Sequence, residues 1–290
     1  MGSMKMARAT ESWLLSLRSQ RKSERTQETY LLAVNQLSEF LDDPDITDIT
    51  RHDIRRFLDH MLTTRSDSTA RQRYGSLSVF FKWIMNEEEI VLNPMDKVSA
   101  PSVEDKPIDI IGEPVFQRFL DTCDGSFKGR RDKAVLWLLW DTGIRLGEIA
   151  SIRLGDYSTL EAYASVRGKT GPRKVYFSPK TSAALNRYER IRDSHKYAHL
   201  DALWIGERGA LTDRGISQML TKRAIAHDLP HIHPHQFRHT ATDRFLSDGV
   251  NEGDVMSLMG WSKGSRSMLD RYGAVQAEHR AFATYRRLYG

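Results

Sequence analysis

Residues 95–107, MDKVSAPSVEDKP, are polar, contain two prolines and show no hydrophobic periodicity. A stretch of this kind cannot continue a helix or a strand that must bury one face, so it punctuates the chain. With 290 residues the chain is long enough for two domains. The expected organisation is a first domain over 8–94, a linker over 95–107 and a second domain over 108–290.

The first hundred residues read as helix. Ala9 to Leu17 places Trp13, Leu14 and Leu17 at helical spacing, with Thr10 as its expected cap. A second helix opens at Thr26. Its positions Tyr30, Leu31, Val34, Leu37, Phe40 and Leu41 form one apolar stripe, which Asp43-Pro44-Asp45 ends. Thr50 caps a third helix, Asp53 to Leu62, with Ile54, Phe57, Leu58 and Met61 facing inward. A fourth starts at Ser68 or Thr69 and runs through Tyr74, Leu77, Phe80, Phe81 and Ile84 to a stop at Asn93-Pro94. Four helices with short polar turns predict a compact bundle.

Beyond the linker the pattern becomes mixed. Glu113–Leu120 and Arg131–Trp140 read as helices. Leu160–Val166 and Lys174–Ser178 read as two strands joined by a Gly- and Pro-containing turn from Arg167 to Arg173. Helical patterns then resume to the C-terminus. The fold class expected is therefore mainly α with a small β-sheet: a helical domain followed by a mixed α/β domain.

Composition narrows the function classes. At 40% hydrophobic and 28% charged residues the chain suits a folded globular protein. No apolar run approaches the ~18–20 residues that span a bilayer, and the N-terminus has no apolar core of a secretory signal. The one cysteine, Cys123, cannot form an internal disulfide, which fits a reducing compartment and a cytoplasmic expectation. Net charge is +5, and it is unevenly spread: residues 1–106 carry −2 and residues 107–290 carry +7. The excess suits a polyanionic partner of the second domain.

Five segments of that domain carry chemistry. DTGIRLGEI (141–149) puts Arg145 after a glycine turn and before a short helix containing Glu148. The hairpin turn carries Lys169, whose mobile ammonium can reach a phosphate or a leaving oxygen. HIHPHQFRH (231–239) clusters histidines, and His235 and His239 have the i, i+4 spacing of a zinc site. The residues between them are Gln236, Phe237 and Arg238, with no Glu to act as a general base, so no metal is expected. His235 and Arg238, at i, i+3 near a helix start, instead present one face suited to a phosphate. LMGW (258–261) offers the Trp261 indole N–H as a donor as well as a packing surface. SMLDRY (267–272) ends in Tyr272. Its phenol, with a free pKa near 10, is a weak nucleophile unless positive donors surround it.

In order, Arg145 in TGIRLGE, Lys169 in a β-turn, His235-x-x-Arg238 in PHQFRHTAT and the late Tyr272 resemble the tyrosine recombinases, or phage integrases. Each segment alone is weak; the ordered set is specific. The first hundred residues also resemble the family's helical core-binding domain, with a T-x-x-x-Y opening at Thr26–Tyr30 and the closing Asn93-Pro94. The likeness thus runs from about residue 8 to 290, without a separate arm-binding domain before it.

The resemblance implies a site-specific recombinase that cleaves and rejoins DNA without metal, ATP or other cofactor. By it Arg145 and Arg238 hold the scissile phosphate, and Lys169 is the general acid for the departing 5′-hydroxyl. His235 assists proton transfer to or from the tyrosine, Glu148 orients its neighbours, and Tyr272 attacks to form a 3′-phosphotyrosyl link. Two departures stand out. Trp261 occupies a position that is most often His in the family, and an indole cannot shuttle protons at neutral pH. Trp261 and Tyr272 lie eleven positions apart, longer than the family's usual interval, and 262–266 is expected to absorb the excess as a loop.

The implied partners are double-stranded DNA and further copies of the chain, a tetramer in the synapse, in a cytoplasmic, DNA-associated setting. No membrane partner is implied, and no accessory DNA-bending factor is specified. Arg71, Arg73, Tyr74 and Lys82 on the fourth helix are candidate DNA contacts. Tyr285 and Tyr289 rival Tyr272 as nucleophile, but they fall on an amphipathic C-terminal segment that resembles a docking helix. EDTA is expected to leave covalent adduct formation on a nicked duplex unchanged; strong inhibition would return the histidine cluster to a metal role.

Overall fold

The structure, a computed structural model, describes residues 4–104, 108–168 and 171–262, together with Leu269, Phe282, Tyr285, Arg286, Leu288 and Tyr289. The chain divides into two compact units, Met1–Lys106 and Pro107–Gly290. The fold is mainly helical with small antiparallel sheets, as the sequence patterns predict.

The first unit packs α1 (Met6–Ser19), α2 (Glu24–Phe40), α3 (Arg51–Thr64) and α4 (Asp67–Asn86) around Trp13, Leu37, Phe57, Phe80 and Phe81. Trp13 stacks on Tyr30 at 5.5 Å between ring centroids and tilts against Phe80 at 5.0 Å. Polar caps set the helix starts. The Ser23, Thr50 and Ser66 hydroxyls accept the amides of Thr26, Asp53 and Thr69, and Asp53 returns the bond to the Thr50 amide in a capping box. Thr50 is thus the cap that its sequence context predicts. Thr10 is not a cap: α1 begins earlier, at Met6, and the Thr10 hydroxyl donates back to the Met6 carbonyl inside the helix at 2.8 Å.

The chain after α4 is not free of this bundle. Ile90, Met95 and Val98 are buried in its core. The Tyr74 hydroxyl donates to the Val98 carbonyl at 3.0 Å, and Arg71 Nη1 donates to the Pro101 carbonyl at 2.9 Å. Aperiodic sequence here conceals anchored backbone.

In the second unit α5 (Glu113–Asp121) precedes α6 (Phe127–Thr142), the central helix. α6 buries Arg131, Val135, Leu138, Leu139 and Trp140 around most of its circumference, and it packs against both α8 (Pro179–Arg192) and α10 (Pro234–Ser247). A short α7 (Leu146–Ala150) leads to a sheet ordered β1 (Tyr157–Ser158), β2 (Tyr163–Gly168) and β3 (Gly171–Tyr176), antiparallel throughout. The strands are shifted toward the turn: β2 starts at Tyr163 rather than Leu160, and β3 ends at Tyr176 rather than Ser178. Gly168 pairs with Gly171 and Arg167 with Pro172, so most of the anticipated turn belongs to the ladder. A second hairpin, β4 (Ile205–Gly206) and β5 (Gly209–Ala210), precedes α9 (Asp213–Ala226). α11 (Glu252–Met259) follows α10.

Buried charge ties these elements together. Asp132 on α6 accepts from Arg131 (Nε 2.9 Å, Nη2 2.6 Å) and from Arg223 on α9 (Nε 2.9 Å, Nη2 2.6 Å). Arg131 also donates to the Ile205 carbonyl at 2.8 Å, and Arg223 to the Thr122 carbonyl at 2.8 Å. Arg192 is only 1% exposed and is held by the carbonyls of Ala198, Leu200, Ala202 and Leu203. Trp204, fully buried, donates its indole N–H to the Ile149 carbonyl at 2.8 Å, which fixes the end of α7. Asp132→Ala would leave the buried Arg131 and half-buried Arg223 guanidiniums without their shared acceptor. It is expected to lower unfolding stability by about 3–5 kcal/mol, read as a shifted urea midpoint.

Candidate active site

The site is assembled on two glycine turns. Gly143 ends α6 with φ +56, a left-handed conformation that an L side chain adopts at a cost. Space requires glycine there as well: a Cβ would lie 2.8 Å from Ala241 Cβ and 3.1 Å from Arg238 Cα. The turn lets α10 lie directly against the end of α6. Gly260 ends α11 with φ +58, and a Cβ there would lie 2.8 Å from the Arg173 guanidinium carbon.

These turns hold the two signature arginines. Arg145 sits at the N-cap of α7 and donates from Nη2 to the Gly260 carbonyl at 3.1 Å. Arg238, on the first turns of α10, is 3% exposed; it donates from Nη1 to the Gly143 carbonyl at 3.1 Å and from Nη2 to the Met259 carbonyl. Two side chains 93 positions apart in sequence are thereby fixed to one pair of turns. The Trp261 ring lies beside them, its centroid 5.4 Å from the Arg238 guanidinium carbon.

Glu148 is the carboxylate of the site, and it is 3% exposed. It accepts the Arg145 amide at 2.9 Å and Arg145 Nη1 at 3.0 Å. It also accepts a two-pronged bond from Arg173 on β3, with Nη1 at 2.7 Å and Nη2 at 2.9 Å. Burial alone would push its carboxyl up. The hydrogen bonds from Arg173 and from the Arg145 amide, with the Arg173 charge, outweigh burial and hold it below the ordinary carboxylate value. The end of β2 closes over this group, and Gly168 is needed for that approach: a Cβ would sit 2.4 Å from Glu148 Oε1.

α10 starts with Pro234 at its first turn, and the Gln236 side chain accepts the His233 amide at 2.6 Å. This start presents His235 one turn before Arg238. The His235 ring meets the His239 ring edge to face at 4.4 Å. Partial burial and the nearby Arg238 and Arg145 charges lower the His235 pKa, which favours the neutral imidazole. Among the described residues no group of three or more His, Cys, Asp and Glu side chains is arranged to hold a metal ion. Among the described residues Arg145, Arg173 and Arg238 gather at this site with Glu148, and such planar donors suit an anion with several oxygens.

The structure thus brings together Arg145, Glu148, His235, Arg238 and Trp261. Lys169 and Tyr272 lie outside the described residues. Tyr285 and Tyr289 are exposed, with ring centroids 5.1 Å apart. Arg173 is a member of the site that the sequence patterns do not single out; its one signal is its position just beyond the glycine turn that carries Lys169.

The four residues on α4 separate. Lys82 and Arg71 are exposed, whereas Arg73 is 7% exposed and bonds to Gln36 on α2 at 2.6 Å and to Gln72 at 3.0 Å. Tyr74 is half-buried, its hydroxyl engaged by Val98.

Both units have counterparts among known proteins. Residues 111–279 match the phage integrase family, and residues 10–89 match the phage integrase N-terminal SAM-like domain. The chain belongs to the phage integrase family. It is therefore a tyrosine-type site-specific recombinase. The tyrosine recombinase XerC of Anoxybacillus flavithermus is 31% identical over 254 residues, covering 82% of this chain and 83% of that protein. XerC of Staphylococcus saprophyticus is 27% identical over 265 residues, covering 88% and 89%. In fold, this recombinase resembles the Tn1549 transposon integrase solved with transposon right end DNA, with TM-score 0.78, 18% identity and coverage of 99% and 100%. It also resembles a lambda integrase dimer bound to a core site, with TM-score 0.76, 16% identity and coverage of 93% and 77%.

Gly168→Ala is expected to force β2 away from Glu148. Overpacking of this kind typically costs about 1–3 kcal/mol. Thermal unfolding should show that loss, together with reduced strand cleavage, and unchanged values in both would contradict the close approach.

Proposed function

We propose that this recombinase cuts and rejoins double-stranded DNA through a covalent 3′-phosphotyrosyl intermediate at Tyr272. The observation that carries the reading is the joint anchoring of Arg145 and Arg238 on the Gly143 and Met259–Gly260 turns, with His235 one helical turn away. Two guanidiniums fixed by backbone carbonyls can hold the non-bridging oxygens of one phosphate as charge builds up on it.

The chemistry proceeds in two balanced transfers. The Tyr272 oxygen attacks phosphorus, the bond from phosphorus to the 5′-oxygen breaks, and Lys169 gives that oxygen a proton. The phenol proton leaves toward His235, whose lowered pKa keeps the imidazole neutral and able to accept it. In the second transfer a 5′-hydroxyl of the partner strand attacks the phosphotyrosine and gives its proton to the deprotonated Lys169, the bond from phosphorus to the tyrosine oxygen breaks, and the protonated His235 returns its proton to that oxygen. The energy of the broken bond stays in the phosphotyrosyl link, so neither ATP nor metal enters this scheme. Trp261 donates its indole N–H and packs against Arg238 without carrying protons.

Exchange needs two duplexes, and so several copies of the chain, a tetramer in the synapse. In the first unit the exposed Arg71 and Lys82 are the phosphate contacts of this reading, with Tyr74 beside them, while Arg73 holds α4 to α2.

Tyr272→Phe should retain DNA binding and lose the covalent adduct on a nicked duplex, seen as the absence of a slow-migrating species in a denaturing gel. Arg145→Ala or Arg238→Ala should lower adduct formation by about 10²–10³. An adduct that persists in Tyr272→Phe would move the nucleophile to another residue.

A further inference from the structure

We propose that Arg173 is a positioning residue for strand cleavage, acting through Glu148 on the phosphate-holding face of Arg145. The inference rests on the function proposed above and adds to it a member that the signature motifs do not contain.

Arg173 occupies a junction. It lies on β3, four residues beyond Lys169, and makes the two-pronged bond to Glu148 described above. Its Nε points toward the Leu258 carbonyl at 3.4 Å, on the last turn of α11. Its side chain is 13% exposed, and its guanidinium fills the space that a Cβ at residue 260 would need. One planar fork therefore touches the hairpin strand, the carboxylate beside Arg145 and the turn whose next residue is Trp261.

The charge arrangement gives this junction a consequence for chemistry. Glu148 Oε1 is shared between Arg145 Nη1 and Arg173 Nη1, and Oε2 between the Arg145 amide and Arg173 Nη2. With Arg173 present, the carboxylate charge is matched by a cation that has no place in the phosphate clamp. Without it, Arg145 alone would neutralise Glu148, and the guanidinium meant for phosphate would be drawn into a buried ion pair. Lysine keeps the charge but cannot reproduce the fork.

The Glu148→Gln change replaces the carboxylate by a neutral group of the same shape, which separates this role from simple packing. The probe is a nicked duplex selected from random-sequence nicked duplexes by covalent trapping on the wild-type chain. Single-turnover adduct formation and DNA binding by gel shift are read side by side for the full chain. Arg173→Met is expected to retain binding within about threefold and to lower the adduct rate about 10²-fold, the cost of misplacing a reacting group by about 1 Å. Arg173→Lys should recover about tenfold of that loss.

In a Glu148→Gln background the same Arg173→Met change should cost less than about threefold, because the charge it offsets is gone. Equal losses in both backgrounds, or a wild-type rate in Arg173→Met, would overturn the positioning role. If Arg173→Met does not fold, Arg173→Lys in both backgrounds supplies the same cycle, with the smaller loss again expected in the Glu148→Gln chain. A wild-type chain that traps no duplex at all would instead overturn the underlying reading of Tyr272.

Discussion

Glu148 is a carboxylate almost wholly withdrawn from water, and its ionised form survives because four N–H donors converge on it. A buried carboxylate without such partners would take up a proton instead. The need to satisfy it explains much of the surrounding sequence. Glycine at 168 lets β2 close over it, and glycine at 260 leaves room for Arg173. The N-cap position of Arg145 supplies a backbone amide as well as a side chain. These residues look unrelated as letters, yet one small volume has to hold two guanidiniums and one carboxylate, and each of them answers to that requirement.

The elements outside the site serve that volume by fixing α6 and α10 with respect to each other. Asp141, at the end of α6, accepts the Ser178 amide at 2.8 Å and the Thr181 hydroxyl at 2.5 Å, which ties the exit of the sheet to the same helix. Arg244 on α10 donates to the Trp140 carbonyl at 3.1 Å and lies 4.8 Å from the Trp140 ring centroid. Both contacts lie just before Gly143, so the helix end that leads into this turn is held by α8 and its N-cap on one hand and by α10 on the other.

Much of this is legible in the sequence, because helices announce themselves by period. The stripe Tyr30, Val34, Leu37 and the cap Thr50 require only local rules. The grouping of Arg145 with Arg238 is expected from their order and context. What local rules do not supply is the burial of a polar side chain. Arg73 and Lys82 lie on the same helix and look alike as letters, yet Arg73 bonds inward to Gln36 while Lys82 is exposed. Arg173 is hidden for the same reason: its partner, Glu148, is 25 positions away, and no helical or strand period links the two. Met95 and Val98 show the converse, apolar residues in an aperiodic stretch that nonetheless fill a core.

The acceptors chosen for the arginines decide what charge the site offers. Arg238 is held by the carbonyls of Gly143 and Met259, which orient a guanidinium without cancelling its charge. Arg145 combines a carbonyl with a carboxylate, but that carboxylate is already bound two-pronged by Arg173. Were Glu148 paired with Arg145 alone, its charge would fall on that guanidinium; the two-pronged bond from Arg173 shares it.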